Sequence, residues 1–260
     1  MTTPAAGAPA ANSNPYGLMA ALHQGGVIAW TVFIILVIMS LATWYVMFTK
    51  VFEQQKILNQ YKRVRSSFWG TPTIRDGANK LERNSAYRQI VDDGLLAQEQ
   101  HTKLIDPVDQ HEWLGASLSR STGSINSRLG GGLAILATVG STAPFVGLFG
   151  TVIGIYRALI KIGAAGQASI DAVAGPVGEA LIMTALGLVV AVPAVLAYNW
   201  LVRRNKSIME DLAAFTNDLH GYLMSGGAVK PRIGGASKAT AQARTGTAPA
   251  EPVRTPTPAK

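Results

Sequence analysis

Three polar side chains interrupt the most apolar segments of this 260-residue chain, and they are its first candidates for chemistry. Thr151 and Thr184 carry hydroxyl groups, and Glu179 carries a carboxyl group about one helical turn inside the outer end of its apolar segment. A charge in hydrocarbon costs about 3 kcal/mol on insertion scales, so such residues usually face an interior or a water-filled cavity. Removal from water favours the neutral carboxyl group, which makes proton exchange at Glu179 possible.

Each of these residues also has an ordinary structural explanation. A buried Thr can donate its hydroxyl to the carbonyl of residue i−4 and do nothing more. Glu179 could lie near the membrane interface, paired with Arg157 or Lys161, or it could cap the start of its helix. A proton relay needs a titratable group near the membrane midplane. Since Glu179 is off-centre and no other Asp, Glu, Lys, Arg or His lies in the apolar segments, a partner chain would have to supply that group.

The sequence contains no signature of an enzyme. The lack of Cys excludes disulfide scaffolds, thiolate zinc sites, iron–sulfur clusters and cysteine nucleophiles, and the four His residues are scattered. The run Gly130-Gly131-Gly132 is not a phosphate loop, because no Gly-Lys-Ser/Thr follows it, and GxSxG and HExxH patterns are absent. We therefore expect no catalytic residues, no cofactor and no metal site.

The elements that carry the polar residues are predicted to be membrane-spanning helices. Hydrophobic residues make up 48% of the chain and charged residues 15%, whereas a typical soluble domain has about 25% charged residues. A helix needs roughly 20 apolar residues to cross the hydrocarbon core. We predict spans at residues 26–48, 129–156 and 177–202. A signal peptide is the alternative for the first span, but residues 1–25 lack a basic n-region and the apolar run is too long for an h-region.

The distribution of Lys and Arg predicts the orientation. Residues 50–128 contain 12 Lys and Arg and the chain from residue 203 contains nine, whereas only Arg157 and Lys161 lie between the second and third spans. The positive-inside rule places residues 49–128 and the C-terminus in the cytoplasm. Residues 1–25, predicted to be disordered, and the connection 157–176 then lie in the periplasm. The net charge of +8 fits cytoplasmic segments that face anionic phospholipids, and no basic patch with interleaved aromatic residues supports nucleic-acid binding.

The cytoplasmic segments show helical periodicity. We predict a continuation of the first helix over residues 50–65 with a break at Gly70, a helix over Asn79–Gln100, and a helix from Asp109 toward the second span. Residues 203–226 should extend the third helix, and 227–260 read as a disordered tail. The apolar stripe of this extension needs a partner helix, from this chain or a neighbouring copy; it comprises Ile208, Leu212, Phe215, Leu219 and Leu223.

Small residues on the second span indicate close helix packing. Gly140, Gly147 and Gly154 repeat every seven residues, and Gly150 and Gly154 form a GxxxG pair. Such a face is either a plain packing surface or the wall of a central pore. Pro193 removes one hydrogen bond in the third span and is expected to kink it.

Two long blocks of sequence resemble the signature of the MotA/TolQ/ExbB proton channel family. The first is Ser141–Ile155, and the second runs from Ala174 to Leu188 and continues over Ala191–Asn199. The likeness covers about residues 25–225. The flagellar branch has four spans and fits poorly, whereas three spans with this loop plan are similar to the ExbB and TolQ branches, and Ser141–Val146 is more similar to ExbB. One departure is Ile153, where many members carry Trp.

The resemblance implies an all-α inner-membrane protein that assembles as a ring-shaped homopentamer around the helices of an ExbD dimer. It implies that proton-motive force energises TonB for outer-membrane uptake of iron–siderophores and vitamin B12. By motif match, Thr151 and Thr184 would face the pore near an essential Asp of ExbD, with Glu179 at the pore end. The alternatives are a TolQ-like subunit of the Tol-Pal envelope-integrity motor and a structural scaffold that passes no ions. A solute transporter usually has internal repeats, which the sequence lacks.

Overall fold

The computed structural model describes residues 18–105, 108–165 and 170–231, and these residues are helical apart from short connections. The helices α1, α5 and α6 are long, and α2, α3 and α4 are shorter. Their bounds are Leu18–Arg63 (α1, followed by a π-helical turn over Val64–Phe68), Ile74–Lys80 (α2), Ala86–His101 (α3), Gln110–Gly130 (α4), Leu133–Ala165 (α5) and Ile170–Met224 (α6).

Three helical segments of the described chain are long and apolar enough to cross a membrane: one lies in α1, one runs over α4 and α5, and one lies in α6. The prediction of an all-helical protein with three such helices is therefore confirmed. Within α1 the backbone departs from helical geometry at Gly26, where φ is +60°. Only glycine adopts this conformation readily, so Gly26 separates a short leading segment from the apolar part of α1.

The helices extend beyond the predicted segments at several ends. Helix α1 begins at Leu18, within the stretch predicted to be disordered, because Leu22 is buried against the neighbouring helices; residues 1–17 lie outside the described part. Helices α5 and α6 fill most of the predicted connection 157–176. Hydropathy indicates where a chain can cross lipid, not where its helix ends. Helix α6 has 55 residues and continues through Pro193 as one element, which gives it a length of about 80 Å.

The apolar stripe of α6 is buried by the same chain. Its five residues pack in one core with the end of α1, the π-helical turn, and helices α2 to α4. Phe215 lies at the centre of this core, with ring centroids 5.4 Å from Phe68 and 5.2 Å from Tyr87. Burial raises the pKa of the Tyr87 phenol. We call this assembly of α2, α3, α4 and the ends of α1 and α6 the helical bundle, and its partner helices come from this chain.

The helix predicted over Asn79–Gln100 is present as α3, but it begins at Ala86, so the predicted start was wrong. Helix α2 ends at Lys80, and Leu81 adopts an extended conformation with its side chain buried in the bundle core. The next residue, Glu82, pairs with Lys56 and Arg63 of α1, at 3.6 and 3.2 Å. These contacts hold the connection between α2 and α3 in a non-helical conformation. They join segments that are distant in sequence, so the periodicity of one segment does not predict them.

The central position of Phe215 makes a prediction about the bundle. Phe215→Ala should destabilise it by about 3 kcal/mol, because truncation of a buried Phe leaves a cavity. Hydrogen exchange of α3 and α4 amides should accelerate at least tenfold. Asn217→Ala, an exposed position on the same helix, is the matched control and should leave exchange unchanged. Equal exchange rates in the two variants would contradict the assigned core.

Candidate functional site: the contact between α5 and α6

Helices α5 and α6 approach each other so closely that two positions have no room for a side chain. A Cβ atom on Gly147 would lie 2.6 Å from the carbonyl oxygen of Met183, and one on Gly187 would lie 2.7 Å from the carbonyl oxygen of Ala143. The two glycine backbones face each other, with a Cβ on either one 3.1 Å from the Cα of the other. Small residues permit this backbone contact in lipid, and it fixes the register of the two helices.

The other predicted glycines lie at contacts within the same chain. A Cβ on Gly140 would meet Val195 at 2.5 Å, and a Cβ on Gly154 would meet Ala180 at 3.1 Å. Gly150 faces two helices, because its Cβ would lie 3.1 Å from Met183 of α6 and 3.2 Å from Val32 of α1. Gly140, Gly147, Gly150 and Gly154 are thus packing positions here. Sequence reasoning did not single out Gly187, although it follows Ala180 and Thr184 at helical spacing and could have been found by that pattern.

The close contact brings the two predicted threonines together. The hydroxyl groups of Thr151 and Thr184 are hydrogen-bonded to each other across the interface. The Thr151 hydroxyl oxygen also lies 2.8 Å from the carbonyl oxygen of Ala180 on α6, and 3.2 Å from that of Gly147, one turn earlier on α5. The i−4 contact therefore exists, but it accompanies a contact between helices. The Thr151 hydroxyl has one proton to donate and several acceptor oxygens around it. The two threonines can therefore exchange one hydrogen-bond partner for another.

The threonine pair lies at the edge of the interface that α1 does not cover. Helix α1 packs beside Gly150, and at roughly 100° per residue Thr151 lies further round α5, away from α1. The next positions in that direction are large, apolar and exposed, on both helices. We call them the open face: Leu148, Val152 and Ile155 of α5, with Leu181 and Leu188 of α6.

Of the charged side chains of Arg157, Lys161 and Glu179, the structure describes that of Arg157. Glu179 belongs to α6 and directly precedes Ala180, but the side chains of Glu179 and Lys161 lie outside the described residues. The Arg157 guanidinium donates a hydrogen bond to the carbonyl oxygen of Gly25, beside the bend at Gly26. Arg157 therefore connects the C-terminal part of α5 to the start of α1.

Other titratable groups belong to the bundle. Burial raises the pKa of Asp211 and of Asp218 on α6, and a hydrogen bond from Tyr61 lowers the pKa of Asp211 in part. These carboxyl groups lie more than 25 residues beyond Thr184 along one helix. Among the described residues, no three His, Asp or Glu side chains converge on a position suited to a metal ion.

Comparison with known proteins gives consistent matches. The profile of the MotA/TolQ/ExbB proton channel family matches residues 83–214, which include α3 to most of α6. The biopolymer transport protein ExbB of Xanthomonas campestris pv. campestris is 41% identical over 213 residues, 78% of this chain and 84% of the relative. ExbB of Neisseria meningitidis is 38% identical over 200 residues, 75% of this chain and 91% of the relative. The Tol-Pal system protein TolQ of Haemophilus influenzae is 30% identical over 213 residues, 75% and 88% of the two chains.

The backbone contact predicts a specific sensitivity to one methyl group. Gly147→Ala should lower the free energy of unfolding by about 2 kcal/mol, because the new Cβ collides with a carbonyl oxygen and forces α5 and α6 apart. Gly163→Ala on the same helix is the matched control, since nothing lies within 4 Å of its new Cβ, and it should be neutral or slightly stabilising. Thermal unfolding of the purified protein measures both; equal midpoints would contradict the contact.

Proposed function

Because this chain belongs to the MotA/TolQ/ExbB proton channel family, we propose that it is the scaffold and proton-pathway subunit of an inner-membrane TonB–ExbB–ExbD complex. The complex would convert proton-motive force into energy for TonB-dependent outer-membrane uptake of iron–siderophores and vitamin B12. The N-terminus would lie in the periplasm and the C-terminus in the cytoplasm. Proteins of this family are membrane transport proteins, so the prediction that the chain is not an enzyme is confirmed by its membership.

The ExbB-type assignment is supported by two relatives that exceed the TolQ relative in identity, while a third, the ExbB of Salmonella typhimurium, is 31% identical over 198 residues. The two ExbB relatives are 41% and 38% identical to this chain, whereas the TolQ relative is 30% identical over a comparable length. Deletion of the gene distinguishes the two branches. The ExbB-type proposal requires poor growth on siderophore-bound iron with an intact envelope, and a leaky envelope with normal siderophore use would assign the chain to the TolQ branch instead.

One observation carries the proposal: a bonded pair of hydroxyl groups at the edge of an uncovered apolar face. A ring of copies, five by family resemblance, would turn the open face inward around the helices of an ExbD dimer. Leu148 and Leu188 would then contact the guest helices, while Thr151 and Thr184 would offer hydrogen bonds to a polar group among them. In this ring the open face is shielded from water and from lipid.

The chemistry of the pair suits a partner carboxyl group that gains and loses a proton. The carboxylate form accepts hydrogen bonds that the threonine hydroxyls can donate, and the protonated form can donate one back. The neutral form also passes apolar side chains at lower cost than the charged form. Transfer of one proton supplies about 2.3 kcal/mol per 100 mV, comparable with typical coupling energies between protein states. In this scheme Glu179 acts at the outer end of the pathway.

Removal of either hydroxyl should impair energised uptake. We expect Thr151→Ala and Thr184→Ala to lower siderophore uptake at least tenfold, since a hydrogen bond to a charged group contributes about 1.5–3 kcal/mol. Thr151→Ser keeps the hydroxyl and should restore most of the activity. Thr142→Ala is the matched control, because Thr142 is exposed on the same helix and bonds the carbonyl oxygen of Thr138, one turn earlier.

The readout must separate function from assembly. Each variant should still co-purify with the ExbD partner, and the intact mass of the wild-type assembly tests the proposed pentamer. Glu179→Gln should lower uptake without loss of the partner. Normal uptake in the Thr151, Thr184 and Glu179 variants would contradict the proton pathway and favour a scaffold that passes no ions.

A further inference from the structure

We propose that Lys50, Asn205 and Gln54 are positioning residues that hold the joint between α4 and α5 at a fixed angle, and so couple the membrane spans to the helical bundle. The coupling part of this inference rests on the proposed function. The positioning part rests on the contacts around the joint and is tested separately.

The joint itself has little rigidity of its own. Helix α4 ends at Gly130 and helix α5 begins at Leu133, so two glycines connect them. Gly131 is extended, with φ −56° and ψ 134°, and Gly132 has φ +81°. The Gly131 amide donates to the carbonyl oxygens of Ser127 and Arg128, at 3.1 and 3.2 Å, which closes the end of α4 locally. Glycine restricts the backbone less than any other residue, so contacts from other helices are needed to fix the angle between α4 and α5.

Side chains of α1 and α6 supply those contacts by capping the end of α4. The last carbonyl groups of a helix lack partners within the helix. The Lys50 ammonium donates to the carbonyl oxygen of Arg128 at 2.9 Å, and the Asn205 amide donates to that of Leu129 at 3.1 Å. The end of α4 is therefore held from both sides by two of the spanning helices, α1 and α6.

A second amide orients the first. Gln54 is completely buried, and its amide nitrogen lies 2.6 Å from the Asn205 side-chain oxygen and 3.1 Å from the carbonyl oxygen of Leu201. This bond leaves the Asn205 amide nitrogen directed at α4. We call Gln54 and Asn205 the amide clasp. The Gln54 side-chain oxygen is buried without a partner among the described residues, a cost in free energy that an apolar pair would avoid. The bonds of the Gln54 nitrogen nevertheless fix one geometry, which is what a positioning role requires.

A charged layer lies beside the clasp. Glu53 pairs with Lys50 at 2.7 Å and approaches Arg128 at 3.7 Å. Lys50 is thereby held where it reaches the carbonyl of Arg128. Because α5 carries Thr151 and leads directly into this joint, a displacement of α5 relative to α4 has to break the caps or move α1 and α6 with it.

The test uses distances between spin labels on either side of the joint. The chain contains no Cys, so Ser124→Cys on α4 and Thr138→Cys on α5 accept labels without a background, in the complex with its partner and with labelled subunits diluted by unlabelled ones. We expect Asn205→Leu to widen the distance distribution at least twofold and to lower siderophore uptake about fivefold. The double variant Gln54→Asn with Asn205→Gln exchanges the two amides. Compared with Asn205→Leu, it should narrow the distance distribution and recover siderophore uptake.

Gln60→Leu is the matched control, because Gln60 is buried on the same helix as Gln54 but bonds Glu82 of the bundle. It should change neither the width nor uptake. An unchanged width in Asn205→Leu would overturn the positioning role, and a widened distribution with normal uptake would overturn the coupling. If the wild-type protein supports no siderophore uptake at all, the proposed function fails, while the label distances still decide the positioning role.

Discussion

The structure depends on the backbone contact between Gly147 of α5 and Gly187 of α6. With any larger residue at either position the helices would separate. The hydrogen bond between Thr151 and Thr184, each about one turn away, would then break. The contact also decides which surface remains uncovered, because α1 packs on one side of the α5–α6 pair and leaves the other side open. A packing constraint and a polar site thus share the same few residues.

The long helix α6 joins the two halves of the molecule. Its first part packs through small residues against α5, and its last part packs through a stripe of large residues in the bundle core. Between them, at Asn205, it contacts the end of α4. This arrangement gives the chain one continuous helix that contacts both α5 and the bundle core, together with a glycine joint held by side chains. The proposed coupling of this subunit to a neighbouring protein would use both features.

The features that were predicted from the sequence are those determined by residues close together in the chain. The three apolar segments, the stripe of α6 and the glycine-rich face of α5 all follow from composition and period. The failures have causes outside a single segment: the break after Lys80 depends on the burial of Leu81 and on ion pairs between Glu82 and α1. The hydrogen bond between Thr151 and Thr184 depends on the register of α5 against α6. The sequence periodicity of either helix alone does not determine that register. For the same reason the sequence left open whether the stripe of α6 packs on its own chain or on another copy.

The central claim is that the open face is covered by a partner's helix rather than by lipid. Photo-crosslinking from a benzophenone side chain at Val152, which is 55% exposed, tests this directly in native membranes. The account predicts a major adduct with the single-span ExbD partner. Adducts with phospholipid alone would contradict this claim. Thr151 and Thr184 would then lie beside acyl chains, with no partner carboxyl group within hydrogen-bonding distance.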